Sequence, residues 1–191
     1  MTAPPRSALL LIDLINLFDF EGGTALARAA EATLPALQRL VQRFRAGGAP
    51  VIYANDNFAH WQMDFRELVA TCCHPQARGA AIATALAPMP GDYFILKPKH
   101  SAFLATPLPV LLAKLDVRRL VLAGVAADAC VLATAVDANA REFEVVVPRD
   151  AVASRTPALR DTALDLLQRS RAAKVTTAAR IRLPAGSGAG S

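Results

Sequence analysis

The sequence predicts an α/β fold, in which helices cover both faces of a parallel sheet. Short apolar runs of strand length alternate with helical patterns through the whole chain of 191 residues. The first run, SALLLIDL at residues 7–14, is continuously apolar, as is typical of a strand buried on both faces. No internal repeat or change of composition divides the chain, so we expect a single domain over residues 1–183. The tail PAGSGAGS, residues 184–191, has no periodicity and is predicted to be disordered.

Six strands and the helices between them account for most of the chain. The predicted strands lie at residues 7–14, 50–54, 92–96, 118–123, 143–147 and 174–176. The predicted helices lie at residues 24–46, 61–70, 76–87, 107–115, from Asp128 onward, and 156–171. Pro35 falls inside the first helical pattern and predicts a kink or a restart there. Functional groups in such folds collect at the carboxyl ends of the strands.

Composition and charge exclude several classes of protein. Hydrophobic residues make up 53% and charged residues 19%, which excludes a disordered chain. No apolar run reaches the roughly 18–20 residues that a membrane span needs. The N-terminus lacks a signal-peptide pattern, because one basic residue precedes an apolar segment that Asp13 interrupts. We therefore expect a cytoplasmic protein that does not bind membranes.

The net charge of +5 does not predict a nucleic-acid partner. The Lys and Arg residues are scattered over predicted helix faces and form no basic stripe interleaved with aromatic residues. Neither GxGxxG nor GxxxxGK[ST] occurs, which argues against nucleotide binding. The sequence therefore predicts a small-molecule substrate and no cofactor.

Three groups that carry chemistry lie at or just beyond predicted strand ends: Asp13, Lys97 and Cys130. The carboxyl ends of parallel strands share one edge, so these side chains can converge. A carboxylate can take a proton from a thiol and pass it to a leaving group, while an ammonium stabilises both. Cys130 lies in the first turn of a helix, where the helix dipole predicts a lowered thiol pKa. Taken singly, the three residues have ordinary alternatives: a turn residue, a solvated charge and a buried apolar side chain.

The other cysteines, Cys72 and Cys73, are interpreted as structural. Three cysteines, two of them adjacent, do not form a disulfide framework. No CxxC motif and no pair of histidines at metal spacing accompanies them.

Three sequence blocks resemble the isochorismatase-like cysteine hydrolase superfamily, which includes nicotinamidases and N-carbamoylsarcosine amidohydrolases. The blocks are LLLIDLINLF, LKPKHSAF and GVAADACVLATAVDA, and they occur in the family's order. The matching positions are Asp13, Asn16 and Phe18 in the first block, Lys97, Ser101 and Phe103 in the second, and Cys130 in the third. The resemblance covers the chain from about Ala8 to Ile181.

The resemblance implies a three-layer, Rossmann-like α/β/α fold with a six-stranded parallel sheet, assembled as a homodimer or homotetramer. It implies that Asp13 is a general base and acid, that Lys97 is its electrostatic partner, and that Cys130 is the nucleophile. It also implies a non-proline cis peptide at Val125–Ala126, and an oxyanion hole formed by the backbone N–H groups of Ala126 and Cys130.

One stretch departs from the nicotinamidase pattern, whose metal site follows the second strand as Asp-x-His with another His downstream. Here Asp56 matches the Asp, but Phe58 replaces the first His and His60 stands alone. One carboxylate and one His make a poor zinc site, so we predict no metal.

The candidate substrate pocket contains Phe18, Asp56, Trp61, His100 and Phe103. For the aromatic residues, ordinary core packing is an equally good interpretation, because apolar side chains line both cores and pockets.

The sequence thus predicts a hydrolase that cleaves a C–N bond of a small amide or carbamoyl-type substrate through a thioester on Cys130. An isochorismatase-type vinyl-ether hydrolase is one alternative, and that chemistry needs no thiol. A catalytically silent binding or scaffold protein of the same fold is another. The sequence does not identify the substrate.

Overall fold

The computed structural model describes residues 6–58 and 62–183, and the predicted disordered tail lies outside these ranges. Its centre is one parallel sheet in the order β3-β2-β1-β4-β5-β7, with the short β6 paired to β4. The strands are β1 (Arg6–Ile12), β2 (Val51–Asp56), β3 (Tyr93–Lys97), β4 (Val117–Val125), β5 (Glu144–Pro148), β6 (Val152–Ala153) and β7 (Lys174–Thr176). The predicted parallel α/β sheet is confirmed, and only the two-residue β6 was not predicted.

Helices connect the strands. They are α1 (Gly23–Glu31), α2 (Leu34–Ala46), α3 (Phe65–Cys72), α4 (Ala80–Ala85), α5 (Leu108–Lys114), α6 (Leu132–Ala140) and α7 (Pro157–Arg169). A π-helical turn, Ala127–Val131, precedes α6, and a 3₁₀ turn, Ala178–Arg180, follows β7. The predicted helix at 24–46 is in fact two helices, and Pro35 lies in the first turn of the second. Proline is tolerated there because its missing N–H would have no helical acceptor.

Two apolar cores lie on opposite faces of the sheet. Along β1, Leu9 and Leu11 belong to one core, whereas Leu10 and Ile12 belong to the other. Helices α1 to α4 pack against the first core, and α5 to α7 pack against the second. This alternation confirms the three-layer α/β/α arrangement. Among the helices in the described ranges, none is both long and apolar enough to cross a membrane.

The carboxyl edge of the sheet brings the ends of four strands together. Asp56 and Lys97 are register partners at the ends of β2 and β3, and Ile12 of β1 is opposite Gly124 of β4. Gly124 has a φ of +118°, and a Cβ at this position would lie 2.1 Å from the Ile12 carbonyl oxygen. Only glycine therefore allows β1 and β4 to approach this closely immediately before Asp13 and Val125.

Candidate active site

Asp13 follows directly after β1 and points its carboxylate into the edge of the sheet. Its backbone N–H donates to the Ala54 carbonyl at 2.9 Å, which continues the pairing with β2 by one residue. Carboxylate Oδ1 accepts from the Asp56 N–H at 2.8 Å, and Oδ2 lies 2.9 Å from Lys97 Nζ. The side chain is only 7% exposed, so these partners replace the water that the charge has lost.

Lys97, the last residue of β3, has a side chain that is 2% exposed. Its ammonium group contacts Asp13, donates to the Lys99 carbonyl at 3.2 Å, and donates to Cys130 Sγ at 3.5 Å. A buried ammonium needs such partners, because desolvation of an isolated charge is very costly. Lys97 therefore links the carboxylate to the sulfur.

Cys130 lies in the π-helical turn that follows β4, and it is half-buried. The peptide bond between Val125 and Ala126 is cis, as predicted. The Ala126 carbonyl accepts from the N–H groups of Ala129 and Val131, both at 3.1 Å, and thereby fixes the start of the turn. The turn holds Sγ against Lys97 on one side and 3.6 Å from His100 Nδ1 on the other.

The electrostatics of the site differ from the expectation for Cys130. Burial and the Asp13 charge raise the pKa of Cys130 to about 12, and the opposing charge of Lys97 does not cancel them. The prediction of a lowered thiol pKa was therefore wrong, since it considered the helix terminus without the burial. The sulfur is a protonated thiol at neutral pH and needs a base when it reacts.

Asp13 is suited to be that base. Burial raises the pKa of its carboxyl group, and the Lys97 charge and a hydrogen bond from Cys130 oppose the increase. For Lys97, burial lowers the pKa, but Asp13 and Cys130 outweigh it and the pKa is raised. The ammonium therefore stays charged beside a carboxylate that is more basic than usual.

The loop after β3 is fixed to the helix that continues from the Cys130 turn. Ser101 Oγ donates to Asp137 Oδ2 at 2.5 Å, and the Ala102 N–H donates to Thr134 Oγ1 at 3.1 Å. These bonds place the exposed His100 beside the sulfur. Sequence reasoning missed Thr134 and Asp137, although their spacing of three residues on α6 puts both on one helical face.

The aromatic pocket candidates that the structure describes lie in the core. Phe18 has no exposed surface, and Phe103 is buried against the Phe143 ring and the Arg141 guanidinium. Burial of these two rings favours the core-packing interpretation, and their assignment to a pocket stays a prediction. Asp56 lies at the exposed end of β2 and contacts Asp13 through its N–H. Trp61 lies outside the described residues, as does His60.

Position 58, after β2, does not supply a metal ligand. Phe58, in place of the first expected His, packs against an apolar core and has no lone pair for a metal ion. Within residues 6–58 and 62–183, no three His, Cys, Asp or Glu side chains lie close enough together to hold a metal.

Comparison with known proteins places this chain in a family. The isochorismatase domain model matches residues 7–180. The uncharacterized isochorismatase family protein YaaI of Bacillus subtilis is 38% identical over 170 residues, covering 89% of this chain and 93% of YaaI. The ureidoacrylate amidohydrolase RutB of Methylorubrum extorquens is 30% identical over 187 residues, covering 83% of this chain and 74% of RutB.

A solved structure shows the same likeness in three dimensions. The N-carbamoylsarcosine amidase of Thermoplasma acidophilum superposes with a TM-score of 0.69 at 27% identity, covering 93% of this chain and 99% of the amidase. The family match spans nearly the whole described chain, including the strand ends that carry Asp13, Lys97 and Cys130. The chain belongs to the isochorismatase family.

Proposed function

We propose that the protein hydrolyses a C–N bond of a small amide or carbamoyl-type substrate through a thioester on Cys130. The observation that carries the proposal is the contact of Cys130 Sγ with the buried Asp13–Lys97 pair. A thiol beside a base that is held by a third group is the arrangement that nucleophilic catalysis requires. The amidase and amidohydrolase relatives support C–N cleavage as the reaction class.

The first half of the reaction forms the thioester. The Asp13 carboxylate takes the thiol proton as Sγ attacks the substrate carbonyl carbon, and Lys97 stabilises the charge that develops on sulfur. The carbonyl oxygen becomes an oxyanion, for which the backbone N–H groups of Ala126 and Cys130 are the proposed donors.

The C–N bond then breaks. The oxyanion collapses to a carbonyl group, and Asp13 passes its proton to the departing nitrogen, which leaves as a neutral amine or ammonia. Water hydrolyses the remaining thioester, releases the acid and restores the thiol. We propose that the protein works on this small molecule without a cofactor, as a homodimer or homotetramer.

The proposal is tested with a panel of small amides and ureido acids, assayed for release of amine or ammonia. Cys130→Ala is expected to lose about 10⁴-fold or more of the rate, as nucleophile deletions do. Cys73→Ala is the matched control, since Cys73 is a partly exposed thiol in the segment after α3, and it should keep the wild-type rate.

Three results would contradict the assignment of Cys130 as an amidase nucleophile. Amide hydrolysis that is undiminished in Cys130→Ala would exclude the sulfur as the nucleophile. Isochorismate cleaved equally by the wild type and Cys130→Ala, with no amide turned over, would favour the vinyl-ether alternative. A chain that turns over neither class would favour the binding or scaffold alternative.

A further inference from the structure

We propose that His100 is the general base that activates water for hydrolysis of the Cys130 thioester. This inference rests on the proposed function. It assigns the second half of that reaction, hydrolysis of the thioester, to a residue other than Asp13. Asp13 then serves the formation of the thioester, and His100 serves its breakdown.

The sulfur of Cys130 lies between two unlike environments. On its inner side are the side chains of Asp13 and Lys97, which are 7% and 2% exposed. On its outer side is the exposed His100, whose Nδ1 lies 3.6 Å from Sγ. Water that reaches the thioester from solvent therefore arrives on the side of the imidazole.

Both oxygens of the Asp13 carboxylate already have partners. Asp13 Oδ1 accepts from the Asp56 N–H, and Oδ2 is paired with Lys97. Its contact with the thiol proton is lost once Sγ carries an acyl group. The carbonyl carbon of that group is one bond from Sγ, so His100 Nδ1, which lies 3.6 Å from Sγ, is a nitrogen base close to its outer face.

The position of His100 is built into the fold. The next two residues, Ser101 and Ala102, are bonded to Asp137 and Thr134 of α6. Helix α6 continues directly from the π-helical turn that carries Cys130. The loop of His100 is thus bonded to the helix that continues from the Cys130 turn, which favours a fixed distance between the imidazole and the sulfur.

Charged groups near the sulfur and the loop of His100 lie on several elements, among them Asp56 at the end of β2, whose charge acts on Lys97. Lys97 of β3 lies on the far side of the sulfur, paired with Asp13 after β1. On α6, the carboxylate of Asp137 is already paired with Arg141 and bonded to Ser101. The Asp13 and Asp137 carboxylates are thus paired with cations, whereas the imidazole of His100 is exposed beside the sulfur.

Hydrolysis of the thioester moves one proton from water through His100 to the sulfur. In the Nε2–H tautomer, His100 Nδ1 takes a proton from water while the water oxygen bonds to the thioester carbonyl carbon. The tetrahedral intermediate then breaks its C–S bond and releases the carboxylic acid. Lys97 stabilises the departing sulfur, and the proton on His100 returns to Sγ to restore the thiol.

The test isolates this step. The full-length protein is acetylated with p-nitrophenyl acetate, the excess is removed, and loss of the acetyl group from the Cys130 peptide is followed by mass spectrometry. His100→Gln is expected to slow the loss about 10²-fold, within the usual range for a general base. The acetylation rate should keep its wild-type order of magnitude, which also shows that the variant is folded.

The chain provides a matched control. His74 is another exposed histidine in a loop. It follows α3, and its Nδ1 accepts from the Gln76 N–H. His74→Gln should lose the acetyl group at the wild-type rate. Added imidazole should restore part of the rate to His100→Ala, since the site is open to solvent at this position.

Each contrary result has a distinct meaning. If His100→Gln loses the acetyl group at the wild-type rate, the inference is overturned, and Asp13, the other base at the sulfur, becomes the candidate for water activation. A slow His100→Ala that imidazole does not restore also overturns the role as a base. A wild-type protein that takes no acetyl group on Cys130 would contradict the proposed function itself.

Discussion

Two ion pairs are set into opposite edges of the same sheet, and they have different surroundings. Asp13 and Lys97 lie at the carboxyl edge, after β1 and at the end of β3. Arg45 and Asp92 lie at the amino edge, near the end of α2 and just before β3. Each pair includes a carboxylate that is less than a tenth exposed.

Among the described residues, the Arg45–Asp92 pair at the amino edge has only backbone groups and a tyrosine hydroxyl as further partners. Arg45 holds both oxygens of Asp92 and also donates to Tyr53 Oη at 3.3 Å and the Ala87 carbonyl at 3.3 Å. Asp92 also accepts from the Met89 N–H at 2.8 Å. Every partner is a group that keeps its chemical state, so this pair joins α2 to the turn before β3.

The carboxyl-edge pair has one partner that can change its state. Besides backbone groups, Asp13 and Lys97 both contact Cys130 Sγ, which can lose a proton or gain an acyl group. The comparison teaches that burial of an ion pair does not by itself indicate function. What distinguishes the functional pair is the reactive atom beside it.

The largest effect is expected from Lys97→Met, which removes the cation from the carboxyl-edge pair. The Asp13 charge is then unopposed and disfavours negative charge on the sulfur. We expect hydrolysis of the best panel amide to fall about 10³-fold, as for loss of a preorganised charge at a reacting atom. Arg45→Met is the control, with loss of stability but unchanged activity per folded molecule. Equal loss of activity in the two variants would remove the distinction between the pairs.

An intermediate effect is expected from Asp92→Asn. This substitution removes the negative charge of the amino-edge pair and hardly changes the shape of the side chain. Hydrogen bonds to charged groups contribute about 1.5–3 kcal/mol, so we expect the free energy of unfolding to fall by about 2 kcal/mol. Urea unfolding measures it, and the activity assay should show no change in the folded protein. An unchanged midpoint of urea unfolding, or a loss of activity in the folded variant, would contradict a purely structural role of the amino-edge pair.

A smaller effect is expected from Ser101→Ala, which leaves both pairs intact and loosens the loop that carries His100. The variant loses the bond to Asp137 and the acceptor for the Phe103 N–H. We expect a loss of about 1 kcal/mol in stability and a several-fold slower decay of acetyl-Cys130. Ser170→Ala, whose hydroxyl donates to a helix carbonyl on α7, should cost similar stability and leave the decay unchanged. If acetyl-Cys130 decays at similar rates in Ser101→Ala and Ser170→Ala, the bond between Ser101 and Asp137 does not position His100.

The sequence predicted the sheet and the edge at which the three chemical groups meet, because buried parallel strands have a distinctive apolar pattern. It did not separate core from pocket for Phe18 and Phe103, since both environments select apolar rings. The pKa of Cys130 depends on burial and on Asp13, which are properties of the tertiary structure. The bond between Ser101 and Asp137 joins residues 36 positions apart, and no local pattern indicates it.

The most direct test of this account measures whether Asp13 and the sulfur are coupled. The rate of iodoacetamide labelling of Cys130 is followed against pH in the wild type, Asp13→Asn and Asp92→Asn. The raised pKa of Cys130 predicts that wild-type labelling increases as the pH rises through the alkaline range. Asp13→Asn removes a negative charge that raises this pKa, so its profile should move about one pH unit or more toward lower pH. Asp92→Asn should follow the wild type. A profile in Asp13→Asn that stays in place, or that moves toward higher pH, would contradict the account.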